Sequence, residues 1–233
     1  MIIAIHQPEF LPWLGYFEKM GRADQYVIFD HVQFKKRYFE NRNKIKTGNK
    51  WNWITVPVKS KGNYHQAIND IEIENNSKWQ KKMWKNIHHA YAKSPFYKEI
   101  AESLSPILVE QKYDKLIELN MACINWFREI LKIENDVVYS SCLEVLNFSA
   151  SDLILEICCQ LKADTYLCGS SGKDYLNLVD FENAGVRIVW HDFQHPNYKQ
   201  SPTDFIPNLS TLDLVMNNGP KSREIVFGAS GNE

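Results

Sequence analysis

The sequence contains no run of eighteen apolar residues, so it offers no segment able to cross a bilayer as a helix. Its first residues lack the basic start, apolar stretch and small-residue cleavage site of a signal peptide, and a cytoplasmic protein is expected. Cysteine is sparse and badly placed for pairing. Cys123, Cys142, Cys158, Cys159 and Cys168 form an odd set without ligand spacing, and two of them are adjacent, which suits neither a disulfide framework nor a zinc site. A reducing compartment and no metal centre follow as expectations. Neither sign of charge dominates: 27 basic residues stand against 28 acidic ones, for a net charge of −1. That removes the long-range field a nucleic-acid binder or an anionic-membrane binder uses, so anion binding must be local. No internal repeat or low-complexity tract is visible.

What is present is ample apolar material, 44% of 233 residues, enough to bury a real core. Ile2 to Ile5 reads as a first strand ended by His6-Gln7-Pro8, since Pro8 biases Gln7 away from helical geometry. A helix over Leu11 to Met20 and a strand over Tyr26 to Phe29 follow. Trp51 to Val58 reads as a strand stopped by a turn at Lys59 to Asn63, and the alternation of Ile68 to Ile73 predicts an edge strand. Three helices are predicted over the middle, capped at Ser77, opened at Pro95 and capped at Asp114. Then come a strand at Val137 to Ser140, a helix at Ser151 to Leu161, a strand at Thr165 to Cys168, a helix closing at Gly185, a strand at Val186 to Asp192, and a last helix from Ser210 to Gly219. Alternating strands and helices predict an α/β fold, a mostly parallel sheet with helices on both faces. The expected division is an α/β core of 1–76 with 134–228, a helical insertion or lid over 77–133, and a tail at 229–233.

In such sheets ligands bind beyond the carboxyl ends of the strands. Gly169-Ser170-Ser171-Gly172-Lys173-Asp174-Tyr175 falls there, with glycines and serines whose N–H groups can converge on an anion and Lys173 as a point charge, although a tight strand-to-helix turn reads equally simply. His6 and Gln7 end the first strand, where an imidazole can act as acid, base or donor or can simply be satisfied within the fold. The Pro8 to Trp13 stretch, with two prolines and large aromatics, reads as a rigid exposed loop. Asp30 and Gln33 follow the second strand. Between Lys35 and Lys50 seven basic residues face one acid, Glu40; Arg37 and Arg42 have the fork for phosphate or carboxylate, Asn41 and Asn43 suit a sugar or base, and Lys44 adds charge. This segment reads as a mobile flap or as a solvated basic loop. His195 and Tyr198 form a last polar-aromatic group after the final strand. Cys168 beside Gly169 is more simply a buried cysteine than a nucleophile.

With these groups in view, the chain resembles the WbqC-like proteins of bacteria along nearly its whole length. The resemblance runs from Ile5-His6-Gln7-Pro8 and Leu11-Pro12-Trp13-Leu14-Gly15-Tyr16-Phe17 through Asp30, Val32-Gln33-Phe34 and Asn41-Arg42-Asn43-Lys44-Ile45. It continues with Thr55-Val56-Pro57-Val58, Gly169 to Leu176, His195-Pro196-x-Tyr198 and Leu209-Ser210-x-Leu212-Asp213. The resemblance implies a role among surface-polysaccharide and O-antigen biosynthesis. A weaker likeness is to the nucleotidyltransferase-like fold, where Pro12-Trp13-Leu14-Gly15 stands in place of a paired His-x-Gly-His. Gly172-Lys173-Asp174-Tyr175 is similar to a segment of pantothenate synthetases, which join a carboxylate to an amine with ATP.

The expected function is therefore transfer of an acyl or aminoacyl group to the amino group of a nucleotide-linked sugar. His6, Gln7, Asp30 and His195 are the candidate catalytic residues. Gln33, Arg37, Asn41, Arg42, Asn43, Lys44, the 169–175 loop and Tyr198 are the candidate binding residues. The cofactor is open, with ATP or acyl-CoA as the donor the resemblance suggests; no nucleic acid and no membrane span are expected. The rival reading is a non-catalytic binder of a nucleotide-sugar or of a polysaccharide-assembly complex.

Overall fold

A computed structural model describes residues 1–60, 65–145, 148, 150–201 and 204–228. The tail expected at 229–233, and most of the turn expected at Lys59 to Asn63, lie outside the described residues. The chain divides into two compact units. Unit 1 is Met1–Gln7, Glu18–Val32 and Ile133–Phe193; unit 2 is Pro8–Phe17, Gln33–Lys132 and Gln194–Glu233.

Unit 1 is a five-stranded sheet built from β1 (Ile2–His6), β2 (Gln25–Ile28), β5 (Asp136–Tyr139), β6 (Thr165–Gly169) and β7 (Arg187–His191), in the order β5-β2-β1-β6-β7. Every pairing in it is parallel, as the alternation of strands and helices predicts. Parallel strands are buried on both faces, which is why β1, β2 and β6 read as continuous apolar runs. Ile3, Ile5, Val27, Tyr166 and Cys168 pack with Leu153, Ile154 and Ile157 of α5 (Ala150–Gln160) and with Phe181 of α6 (Leu178–Asn183). Gly185, at φ 73°, lets the chain turn from α6 into β7. The path runs from β1 outward through β2 to β5, then returns to the other side of β1 for β6 and β7. The strand order therefore reverses between β1 and β6, and the crevice at their carboxyl ends is the place where such sheets bind ligands.

Unit 2 carries the antiparallel hairpin of β3 (Arg42–Thr47) and β4 (Lys50–Thr55), closed by Gly48 at φ 62°. It also carries α2 (Trp79–Tyr91), α3 (Tyr97–Ser105) with a π-helical turn at Pro106–Glu110, α4 (Leu116–Leu131), α7 (Thr211–Asn218) and α8 (Ser222–Gly228). The helices of 77–133 thus belong to one unit with residues 33–76 and the C-terminal segment. α1 (Leu14–Gly21) passes from unit 2 into unit 1 at Glu18. Among the described residues, no helix is long and apolar enough to cross a membrane.

Four local expectations change. Pro8 to Pro12 is buried rather than an exposed loop, because Phe10 and Leu11 are 0% exposed and the Phe10 and Leu11 carbonyls are bound by the Asn43 amide at 3.2 and 2.9 Å. The alternating Ile68 to Ile73 forms a 3-10 turn at Ile68–Asp70 and isolated bridges, since its buried isoleucines pack without a partner strand. The basic segment is not a free flap throughout: Asn43, Ile45 and Lys46 are buried within β3, and the loop ahead of it, 35–41, ends in the buried Glu40 and Asn41. Helix α2 starts from Lys78 without a side-chain cap, whereas Ser210 does cap α7, accepting from the Leu212 N–H at 3.2 Å.

Candidate functional site

In unit 1 the parallel arrangement brings His6, Asp30, the Gly169 loop and His191 to one edge, the carboxyl ends of β1, β2, β6 and β7. The Phe29 N–H donates to the His6 carbonyl at 2.8 Å, so the β1 and β2 ends are tied together. Ala4 pairs with Leu167, and continuing that register sets His6 level with Gly169.

His6 Nδ1 lies 3.1 Å from the Gln7 carbonyl, a contact only an N–H can make, so the neutral ring carries its lone pair on Nε2. Burial, the nearby Lys19 ammonium and His191 push its pKa down to about 3. His6 is therefore an uncharged imidazole at any ordinary pH and a weak base. Lys19 is buried, donating to the Ile5 carbonyl at 2.9 Å. Its neighbour Glu18 is 1% exposed, paired with His191 Nε2 and 3.6 Å from Arg22. Gln7 is half-buried and contributes its carbonyl to His6.

Asp30, 2% exposed, is saturated. Its carboxyl accepts from Ser140 Oγ at 2.9 Å, the Ser141 N–H at 2.9 Å and Ser141 Oγ at 2.6 Å. Ser140 has one proton, given to Asp30, and it already accepts from the Asp30 N–H at 3.1 Å. At 2.7 Å from His31 Nδ1 it must accept again, so His31 donates from Nδ1 and presents a lone pair at Nε2. That Nε2 is buried and makes no hydrogen bond. Burial lowers the His31 pKa, and the Asp30 charge opposes the shift. The result is a hydrogen-bonded Asp30–Ser140–His31 chain. Sequence reasoning missed Ser140, because its partner lies 110 residues away and only the parallel pairing of β2 with β5 joins them.

The Gly169 loop is a 3-10 turn over Ser170–Asp174. Ser170, Ser171, Lys173, Asp174 and Tyr175 are exposed. Gly172 is buried, and a Cβ there would lie 2.1 Å from Cys168 Sγ, so this glycine answers to packing against β6. Gly169 has open space where a side chain would stand. Lys173 Nζ lies 5.4 Å from the Trp190 ring, which holds the one cation of the loop against β7. A cavity of about 390 Å³ opens between α6 and β7 and is lined in part by Trp190. Among the described residues, no three His, Cys, Asp or Glu side chains converge as a metal-binding group.

The remaining expected residues lie in unit 2. Arg37 is exposed at φ 61°, and Gln33 is exposed in an isolated bridge with Ala67. Asn43 is 0% exposed with its amide spent on Phe10, Leu11 and the Lys44 N–H, and Tyr198 is 8% exposed with its hydroxyl donating to Asp213 at 3.0 Å. Both side chains are buried and engaged in hydrogen bonds within the fold. Asn41 is buried, donating to the Val56 carbonyl at 2.9 Å. His195 Nδ1 faces the Pro196 carbonyl at 3.0 Å between Tyr198 and Phe205, and burial lowers its pKa. Arg42 and Lys44 lie against Trp53 and Trp51 of β4, two indoles that sequence reasoning read only as strand.

The fold defines an α/β protein with a parallel sheet whose strand order reverses between β1 and β6. Residues 7–225 match the WbqC-like protein family, and the chain belongs to that family. It is similar to uncharacterized protein Rv1507c of Mycobacterium tuberculosis (strain ATCC 25618 / H37Rv), 33% identical over 221 residues, which cover 94% of this chain and 95% of that one. No solved structure matches the chain.

Proposed function

We propose that the protein is a cytoplasmic enzyme of bacterial surface-polysaccharide, or O-antigen, biosynthesis that transfers an acyl or aminoacyl group to the amino group of a nucleotide-linked sugar. The observation that carries this reading is the pair of neutral imidazoles at the joined ends of β1 and β2, His6 and His31, beside the loop that holds Lys173. Amide formation needs such groups. The amine lone pair attacks the acyl carbon, an N–C bond forms, and the C–S or C–O bond to the donor breaks with its electrons on the leaving group. The amine proton must pass to a base. His31 is the better base of the two, because its Nδ1–H is fixed by Ser140 and Asp30 can stabilise the imidazolium that forms. His6, with its pKa near 3, serves as a hydrogen-bond acceptor that orients the amine. Lys173 offers charge to a phosphate of the donor, whether acyl-CoA or an ATP-activated acid.

Incubation with nucleotide-linked amino sugars and either acyl-CoA thioesters or a carboxylic acid with ATP, followed by mass spectrometry, tests the reading. An N-acylated sugar is expected, with its rate falling about a hundredfold to ten-thousandfold in His31→Gln. Tight binding without turnover across the donors would favour the non-catalytic reading instead.

A further inference from the structure

The hairpin β3–β4 carries cations and aromatic rings alternately on one face. The Arg42 guanidinium lies 3.9 Å from the Trp53 ring centroid, and Lys44 Nζ lies 4.8 Å from Trp51 and 5.4 Å from Trp53. The two indoles meet edge to face at 5.6 Å, and Lys35 extends the pattern, 5.6 Å from Tyr38. The pattern follows from the register, which sets Lys44 opposite Trp53. Trp51 and Tyr38 are 43% and 49% exposed. Large rings left in water beside cations, rather than turned into an available core, are what a stacking site for a flat anionic ligand requires.

Three further observations narrow the ligand. The face is preorganised, because the other side of the hairpin is pinned: Ile45 and Ile54 are buried, and the Asn43 amide is bound to the Phe10 and Leu11 carbonyls. The segment itself supplies no exposed acid, since the only acid between residues 35 and 58 is Glu40, which is 1% exposed. The Arg42 guanidinium is held on the Trp53 ring, with its Nε buried and without a hydrogen bond.

We infer that this face of unit 2 is a binding site for a nucleoside diphosphate, the base stacking on Trp51 and the phosphates held by Arg42 and Lys44. One guanidinium fork and one ammonium match one diphosphate, and the exposed Trp51 ring offers surface for one base. A polymer is the poorer fit, because a chain of net charge −1 supplies no field to draw in a polyanion. The inference concerns unit 2 alone and does not depend on acyl transfer.

The test is titration of the full chain with UDP, GDP and ADP, followed by calorimetry, with uridine and inorganic pyrophosphate as the separated parts. Saturable binding is expected, about tenfold or more weaker in Arg42→Ala and in Trp51→Ala. Trp51 is exposed enough to be truncated without unfolding the hairpin, and circular dichroism of each variant checks this. Trp53→Phe, which keeps a ring under Arg42, should retain most of the affinity. Three results would overturn the inference: no diphosphate binding, binding indifferent to Arg42 and Trp51, or pyrophosphate binding as tightly as the nucleotides. A single-stranded oligonucleotide that binds more tightly, with steep salt dependence, would overturn it in favour of a nucleic-acid surface. Binding at this face with no transfer activity would sustain the inference while refuting the proposed reaction.

Discussion

Protonating His6 is costly in the folded state, and the cost can be read as a loss of stability in acid. Its pKa falls from an ordinary 6.5 to about 3, chiefly through burial and then through the Lys19 ammonium. A depressed pKa means that the stabilising balance is complete above pH 6.5 and is lost as the pH falls through the folded value. At about pH 4.5 an unfolded chain binds a proton at this residue while the folded one does not, and the difference of about two pH units is worth about 2.7 kcal/mol. The ring is only partly buried, so solvent screening makes that figure a ceiling. His6→Gln removes the titration and keeps a hydrogen-bonding group. Urea unfolding of both proteins at neutral pH and at about pH 4.5 isolates the contribution, because the other titrating groups cancel in the comparison. The wild type should lose about 2 kcal/mol more than the variant over that interval. Equal losses, or a His6 proton resonance titrating near its ordinary value, would refute the reasoning.

Other consequences are as specific. Gly172→Ala should destabilise the protein by about 1 to 3 kcal/mol through the clash with Cys168, and Cys168→Ala in the same chain should recover most of it, read as melting temperature. Asp213 is buried with its pKa raised to about 6, so the stability it allows is full below its ordinary pKa of 3.8 and lost as the pH rises through 6. Asp213→Asn, which can still accept from Tyr198, should therefore be more stable than wild type at neutral pH by up to about 3 kcal/mol in chemical denaturation. Lys173→Ala should abolish any thermal stabilisation by the acyl donor's phosphate, normally about 2.7 kcal/mol at a hundredfold excess over Kd.

Much of unit 1 is legible in the sequence because its signals are local. The apolar run of β1 breaks at His6-Gln7-Pro8, Gly185 marks a helix end, and the 169–175 loop follows β6. The site is legible only at the level of which strand ends carry polar groups. That Asp30 is consumed by Ser140 and Ser141, and that His31 Nε2 is left buried without a hydrogen bond, depends on a strand pairing across 110 residues. Composition misleads over the basic segment for a similar reason. Lysines suggest solvent, yet Lys46 is 1% exposed with its ammonium on Gln200 and the Asp204 carbonyl, and it drags β3 inward with it. The alternation of Ile68 to Ile73 misleads in the other direction, since burial of isoleucines at Ile68, Ile71 and Ile73 needs no ladder.

The central claim is that the joined ends of β1 and β2 form a catalytic base, and it is tested most directly by the pH dependence of amide formation in Ser140→Ala. Ser140 does not itself reach the amine in this account; it holds the His31 tautomer and couples it to Asp30. The variant should fold, bind the amino sugar with unchanged KM, and lose about tenfold or more in kcat, with the pH profile of kcat displaced from that of wild type. An unaltered profile with unaltered kcat would contradict the account, and the base would then have to be sought away from His31.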